Sequence, residues 1–207
     1  MQVSLKVKRF DPEDSGGKTW WQEYEVDIHP DSTVLDALIK VREQVDGTLA
    51  LRCACRASIC GSCGMRVNGN AKLVCKTRVV EVAPNGEQLT IEPMGNQHVV
   101  RDLVISLDTF FSQINRVEPY MQPSFVPEQG EYTASNDSME NLLTAMNCIM
   151  CGCCVSDCTV LEVDSNFIGP AALDVLDVVI VVHAWVRGRG FANRVMLPTS
   201  WGRFPLP

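Results

Sequence analysis

The sequence predicts an α+β chain of two unlike parts, the first mixed and the second mainly helical. Three observations carry this. The first 95 residues alternate strand and helix patterns; from about residue 98 apolar residues recur at helical spacing; and ten cysteines fall into two groups of five. The groups are Cys53, Cys55, Cys60, Cys63 and Cys75, then Cys148, Cys151, Cys153, Cys154 and Cys158, and the 72 residues between them hold none. A chain of 207 residues with 46% hydrophobic and 21% charged residues has a globular composition. Its net charge of −7 and pI near 5.0 argue against nucleic acid as a partner. No stretch reaches the roughly eighteen apolar residues of a membrane span; the longest, Val178 to Val186, includes His183. The N-terminus alternates instead of offering the apolar run of an export signal. Close-set thiols therefore read as metal ligands before disulfides.

The first elements follow from periodicity. Val3, Leu5 and Val7 alternate with polar residues, as a half-buried strand requires, and Trp20 to Ile28 repeats the pattern with Tyr24, Val26 and Ile28 on one face. Ser32 or Thr33 then caps a helix with Val34, Leu35, Leu38, Ile39, Val41 and Val45 on its apolar side. After a cysteine-rich loop, Met65–Val67, Leu73–Cys75 and Leu89–Ile91 are short strands, with turns at Asn68-Gly69 and Asn85-Gly86. Hairpin, helix, loop and further strands suit a β-grasp arrangement over residues 1–97.

Beyond residue 98, Val100, Leu103, Val104, Leu107, Phe110, Phe111 and Ile114 form one helical stripe. Pro119, Pro123 and Pro127 turn the following stretch into a connecting loop. Asp137, with Glu140 three residues on, can cap a short helix through Asn147 that delivers the second cysteine group. Residues 98–173 are thus expected to form a second, mainly helical domain, and 174–207 a tail of different composition. Charge divides similarly: Arg52 to Arg78 carries six basic residues and no acid, whereas Val117 to Val186 carries ten acids and no Lys or Arg.

In the first cysteine group the order is Cys55-x4-Cys60-x2-Cys63, with Cys75 after eleven intervening residues. This is the plant-type [2Fe–2S] arrangement. Two irons bridged by two sulfides need four thiolates around a compact rhomb, three from one wrapping loop and one from a neighbouring strand. Gly61 and Gly64 suit a close backbone wrap. Backbone N–H groups and the surrounding Arg and Lys would favour the more negative, reduced state. Four thiolates also suit structural zinc, but zinc sites favour two short paired knuckles. Cys53 is the spare thiol, expected to be buried and structural.

The second group contains Cys148-x2-Cys151-x2-Cys154-x3-Cys158, the bacterial ferredoxin run. In such a run three thiolates hold one cluster and the fourth reaches a second. Closing both clusters takes another run, and no cysteine follows Cys158 in the remaining 49 residues. The helical domain is therefore expected to be incomplete.

Taken together, these residues resemble the iron–sulfur subunit of succinate dehydrogenase and fumarate reductase. The resemblance runs from Val3 to Leu173, through Val34-Leu-Asp-Ala-Leu38, Arg52-Cys-Ala-Cys-Arg-Ala-Ser-Ile-Cys-Gly-Ser-Cys63 with Cys75, Val100-Arg-Asp-Leu-Val104 before Phe110-Phe111, Cys148-Ile-Met-Cys151 and Phe167-Ile-Gly-Pro-Ala-Ala-Leu173. It implies an N-terminal β-grasp ferredoxin-like domain and a helical ferredoxin-type domain. It implies that Cys55, Cys60, Cys63 and Cys75 hold [2Fe–2S], that Cys148, Cys151 and Cys154 supply three ligands of a [4Fe–4S] cluster, and that Cys158 supplies one of a [3Fe–4S] cluster. It also implies respiratory electron transport, in the tricarboxylic acid cycle step, from an FAD-containing flavoprotein subunit to quinone at a membrane anchor subunit. The chain would then sit on the cytoplasmic face of the membrane through its partners, without a substrate site of its own.

Two departures stand out. Thr159 and Val163 occupy a region where family members carry Pro and Trp near the quinone, so no quinone residue is assigned. After Leu173 the chain turns Val-rich and then Arg-, Gly- and Pro-containing, which reads more readily as a truncation or frameshift than as a genuine replacement whose partner supplies ligands, and the tail is expected to be poorly ordered. The alternatives are a stand-alone [2Fe–2S] carrier and a non-functional remnant. His29, His98 and His183 are isolated, and no nucleophile, base and orienting acid form a local motif.

Overall fold

The structure is a computed structural model that describes residues 1–14, 16–120, 130, 136, 139–140, 143, 145–176 and 178. Strand β1 (Gln2–Asp11) buries Val3, Leu5 and Val7 and pairs antiparallel with β2 (Lys18–Asp27), Leu5 facing Tyr24. Helix α1 (Val34–Gln44) starts at Thr33, whose hydroxyl accepts from the Asp36 N–H while the Asp36 carboxylate accepts from the Thr33 N–H, a reciprocal cap. Its buried face is Val34, Leu35, Ala37, Leu38, Ile39 and Val41, but Val45 lies beyond the last turn and is exposed.

Strands β3 (Gly64–Val67) and β4 (Asn70–Leu73) form a hairpin about Asn68-Gly69, both with positive φ, as a tight two-residue turn requires. A short helix, α2 (Val79–Val82), precedes β5 (Leu89–Glu92). β5 enters the middle of the sheet, parallel to β1 and antiparallel to β3, giving the order β2-β1-β5-β3-β4. The core lies between this sheet and α1, with Leu5, Leu35, Leu38, Met65 and Ile91 fully buried. This is the expected α+β, β-grasp arrangement.

Three local expectations are corrected. The strand expected at Leu73–Cys75 ends at Leu73, because the N–H groups of Lys76 and Thr77 both turn back to the Leu73 carbonyl. α2 falls in a segment with no expected element, because three of its four residues are valines, whose β-branching disfavours a helix. The helical stripe from Val100 to Ile114 is mostly not a helix. Val99–Arg101 (β6) and Val104–Ile105 (β7) pair as a small hairpin, and helix α3 covers only Asp108–Asn115. Asp102, at φ 48°, makes the turn that breaks the helical path.

The cause is a buried ion pair. Arg9, 4% exposed, donates from Nε to Asp102 Oδ1 at 2.8 Å and from Nη2 to Oδ2 at 3.3 Å; Asp102 is 1% exposed. Asp102 also accepts from the N–H groups of Phe10 (3.1 Å) and Ala50 (2.8 Å). The rest of the guanidinium is satisfied by Asp46, Tyr24, Gln22 and Thr48. Burial pushes the Asp46 carboxyl up, but hydrogen bonds from Thr48, Tyr24 and Arg9 outweigh it and hold it well below the usual carboxylate range.

Residues 1–113 and 149–171 form one compact unit; the described residues of 114–148 and 172–178 belong to a second. In the first, α4 (Cys153–Ser156) and α5 (Thr159–Val163) are short helices. Among the described residues no helix is long and apolar enough to cross a membrane. The Asp137 cap, Pro123 and Pro127, and nearly all of the tail after 173, including all of Val178–Val186 but Val178, lie outside the described residues.

Asp102→Ala should destabilise the metal-free chain to urea by about 2–3 kcal/mol, since Asp46 still faces the guanidinium but Arg9 Nε and the Phe10 and Ala50 N–H groups lose their acceptor. A chain ending at residue 97 loses Asp102 and should unfold at lower urea than one ending at 113. Because Asp46 titrates below its unfolded value, its contribution should be complete above about pH 4 and fade as pH falls further, seen as a declining urea midpoint.

Candidate metal centre

The first cysteine loop starts from a fixed point. The Ala50 N–H is held by Asp102, the Leu103 N–H donates to the Ala50 carbonyl at 3.3 Å, and Leu49 is buried. Leu51 and Cys53 then pack on the core. The chain leaves the core at Ala54 and wraps tightly, with Arg56 (φ 52°), Ser58 (φ 57°) and Gly61 (φ 70°) in the left-handed region. Left-handed Arg and Ser cost on the order of 1–2 kcal/mol each, so the wrap is held against its local preference.

The strain aims donors at sulfur. Cys55 Sγ accepts from the N–H groups of Ala57 (3.3 Å), Ile59 (3.4 Å) and Cys60 (3.3 Å), and Cys60 Sγ accepts from the Cys55 N–H (3.5 Å). Ser62 Oγ lies 3.0 Å from Cys60 Sγ, and Ser58 Oγ lies 3.8 Å from Cys75 Sγ. Cys63 is buried beside β3 and Cys75 follows β4; the Val74 N–H donates to the Cys63 carbonyl at 3.3 Å, and the two thiols interact. Hydrogen bonds thus join Cys55 with Cys60 and Cys63 with Cys75 as two couples, and the charge of Cys60 also reaches Cys63 across them. Contact with the Ser62 hydroxyl, then N–H donation from Cys55, holds Cys60 down at about 6. Burial pushes Cys63 up to about 11. Among the described residues, no three or more His, Cys, Asp or Glu side chains gather as a site for a single metal ion.

The second group is placed in pieces. Cys148 follows a 3-10 turn (Ala145–Asn147) and donates its N–H to the Ala145 carbonyl at 3.1 Å. Cys151 packs against the first loop so closely that a Cβ on Gly61 would lie 2.7 Å from its Cα, which explains the glycine there. Cys153 and Cys154 open α4, and Cys158 caps α5. Cys153 hydrogen-bonds its thiol to Cys151 across the left-handed Gly152. That bond lowers Cys151 to about 6, and together with burial it pushes Cys153 well up. The hydroxyls of Ser58 and Ser62 were missed as sulfur partners; their positions between and beside thiols in the motif were the available signal.

Residues 4–112 match the family described as 2Fe-2S iron-sulfur cluster binding domain. The chain is 36% identical over 174 residues to the fumarate reductase iron-sulfur subunit of Mycobacterium tuberculosis, covering 83% of this chain and 69% of that protein. This chain belongs to the iron–sulfur subunits of succinate dehydrogenase and fumarate reductase. Its fold is similar to a chain of the Mycobacterium smegmatis Sdh1 complex in the apo form, with a TM-score of 0.69, 29% identity, and coverage of 84% of this chain and 74% of that one. An iron–sulfur subunit of a redox enzyme complex transfers electrons, and that is this chain's role; neither a stand-alone carrier nor a remnant is favoured by these likenesses.

In the metal-free protein, alkylation of Cys60 should reach half its maximal rate near pH 6, whereas Cys63 should stay slow to above about pH 10. Ser62→Ala should move the Cys60 midpoint upward. Peptide-resolved iodoacetamide labelling across pH measures both.

Proposed function

We propose that Cys55, Cys60, Cys63 and Cys75 hold a [2Fe–2S] cluster and that the chain relays electrons between an FAD-containing flavoprotein subunit and the quinone site of a membrane anchor subunit. The observation that supports this most is the division of the four thiols into two couples. Each iron of a binuclear cluster takes two thiolates, so two couples suit it better than a single tetrahedral ion. When bound, such a cluster supplies reversible one-electron transfer. The chain's own residues wrap it and offer N–H groups to the thiolates, and the six basic residues between Arg52 and Arg78 would favour the reduced charge.

Cys148, Cys151 and Cys154 are proposed for a [4Fe–4S] cluster and Cys158 for a [3Fe–4S] cluster, with the remaining ligands not supplied by this sequence. The proposed division remains 1–97, 98–173 and 174–207. Substrate chemistry, succinate oxidation or fumarate reduction, lies with the flavoprotein. The chain is proposed to sit peripherally on the cytoplasmic face of the membrane through its partners.

After anaerobic reconstitution, Cys60→Ala and Cys75→Ala should lose the visible absorbance of the first cluster, and Cys53→Ala should keep it. Tagged chain expressed with the flavoprotein and anchor subunits of a homologous complex should co-purify with flavin. Recovery of the chain free of flavin under those conditions would count against the partner assignment.

A further inference from the structure

The second cysteine run is tied to the first sheet's own connecting loop, through groups outside both cysteine motifs. Asn96 stands at φ 55° and donates from Nδ2 to the carbonyls of Val155 (2.8 Å), Cys158 (3.0 Å) and Ser156 (3.5 Å). The Val155 and Ser156 carbonyls end α4, where a helix has few internal donors left, and the Cys158 carbonyl starts α5; the Val155 carbonyl also accepts from the Cys158 N–H at 3.3 Å. An amide NH2 facing three acceptors is the only orientation of this side chain that satisfies them. Next to it, the Gly95 N–H donates to Ser156 Oγ at 2.9 Å; Ser156 is fully buried. A Cβ on Gly95 would lie 2.8 Å from the Ser156 carbonyl, so the two backbones meet where a side chain could not fit. Asp157 completes the attachment by accepting from the Ala71 N–H at 2.8 Å, with Arg66 at 3.7 Å.

We propose that Asn96 is a positioning residue that fixes α4, and with it Cys154 and Cys158, on the first sheet before any iron is bound. The proposal rests on the reading of those cysteines as ligands only for its purpose, not for the geometry. A run that lacks its closing cysteines in this sequence is held instead by the loop after β5. Preorganisation of this kind removes part of the ordering cost that binding would otherwise meet.

Hydrogen–deuterium exchange of the full, metal-free chain tests it. In Asn96→Ala and Asn96→Asp, peptides across 149–171 should exchange about tenfold faster, as expected for losing one or two hydrogen bonds at a helix end. Peptides from β1 and β5 should not change. Asp should do more damage than Ala, because a carboxylate would face three carbonyl oxygens, although Asp adopts the left-handed region about as readily as Asn. Unchanged exchange across 149–171, or Ala worse than Asp, would overturn the proposal, the latter by showing that only backbone conformation matters. If either variant loosens β1 and β5 as well, Ser156→Ala decides: a local rise supports the proposal and no rise overturns it. Iron retained after reconstitution separates this from the ligand reading. Faster exchange with no loss of iron at the second run leaves the positioning intact and shows that ligation does not depend on it, whereas unchanged iron in Cys154→Ala and Cys158→Ala would remove those cysteines as ligands without touching the positioning.

Discussion

The buried pair of Arg9 and Asp102 is the constraint on which the cysteine loop depends. Arg9 reaches out of β1, and Asp102 sits at a turn more than ninety residues later. Between them they also bind the Ala50 N–H, the last anchored point before the loop leaves the core. Two buried charges are not in themselves stabilising compared with a well-packed apolar pair, since desolvation offsets their attraction. What this pair supplies is registry. The bidentate fork, two backbone N–H donors and the Asp46, Tyr24 and Thr48 contacts leave one arrangement of β1, the 46–50 segment and the β6–β7 hairpin in which every polar group is met.

That registry converts into chemistry at the loop. A peptide that must place left-handed Arg and Ser residues in succession needs both ends fixed. One end is fixed at Ala50 and the other at Cys63, where β3 joins the central sheet. The strain then points N–H groups at Cys55 and Cys60, while Cys63 and Cys75 meet beside the β3–β4 hairpin. One couple is exposed and the other is half to fully buried. The polarity of the site is therefore built in: the first couple faces outward, and the second is backed by the core.

Much of this was legible in the sequence, and particular residues show why the rest was not. Alternation in β1 and β2, the Thr33 cap with Asp36, and the Asn68-Gly69 turn are local signals, and the structure follows them. The C-x4-C-x2-C spacing pointed to the proposed cluster site because three of its four candidate cysteines are close in the chain. The Val100–Ile114 stripe misled because helical spacing of apolar residues was read without the contact that overrides it, which lies on β1. Asn96 and Gly95 were silent for the same reason: their partners are about sixty residues away, and nothing local marks an amide as a clamp.

The most direct test of the account is the metal content and spectroscopy of the full chain after anaerobic reconstitution with iron and sulfide. The account predicts two irons and two acid-labile sulfides at the first site, with Mössbauer spectra of the reduced protein resolving two inequivalent irons, one for each thiol couple. A single tetrathiolate metal ion per chain, with no labile sulfide, would contradict it.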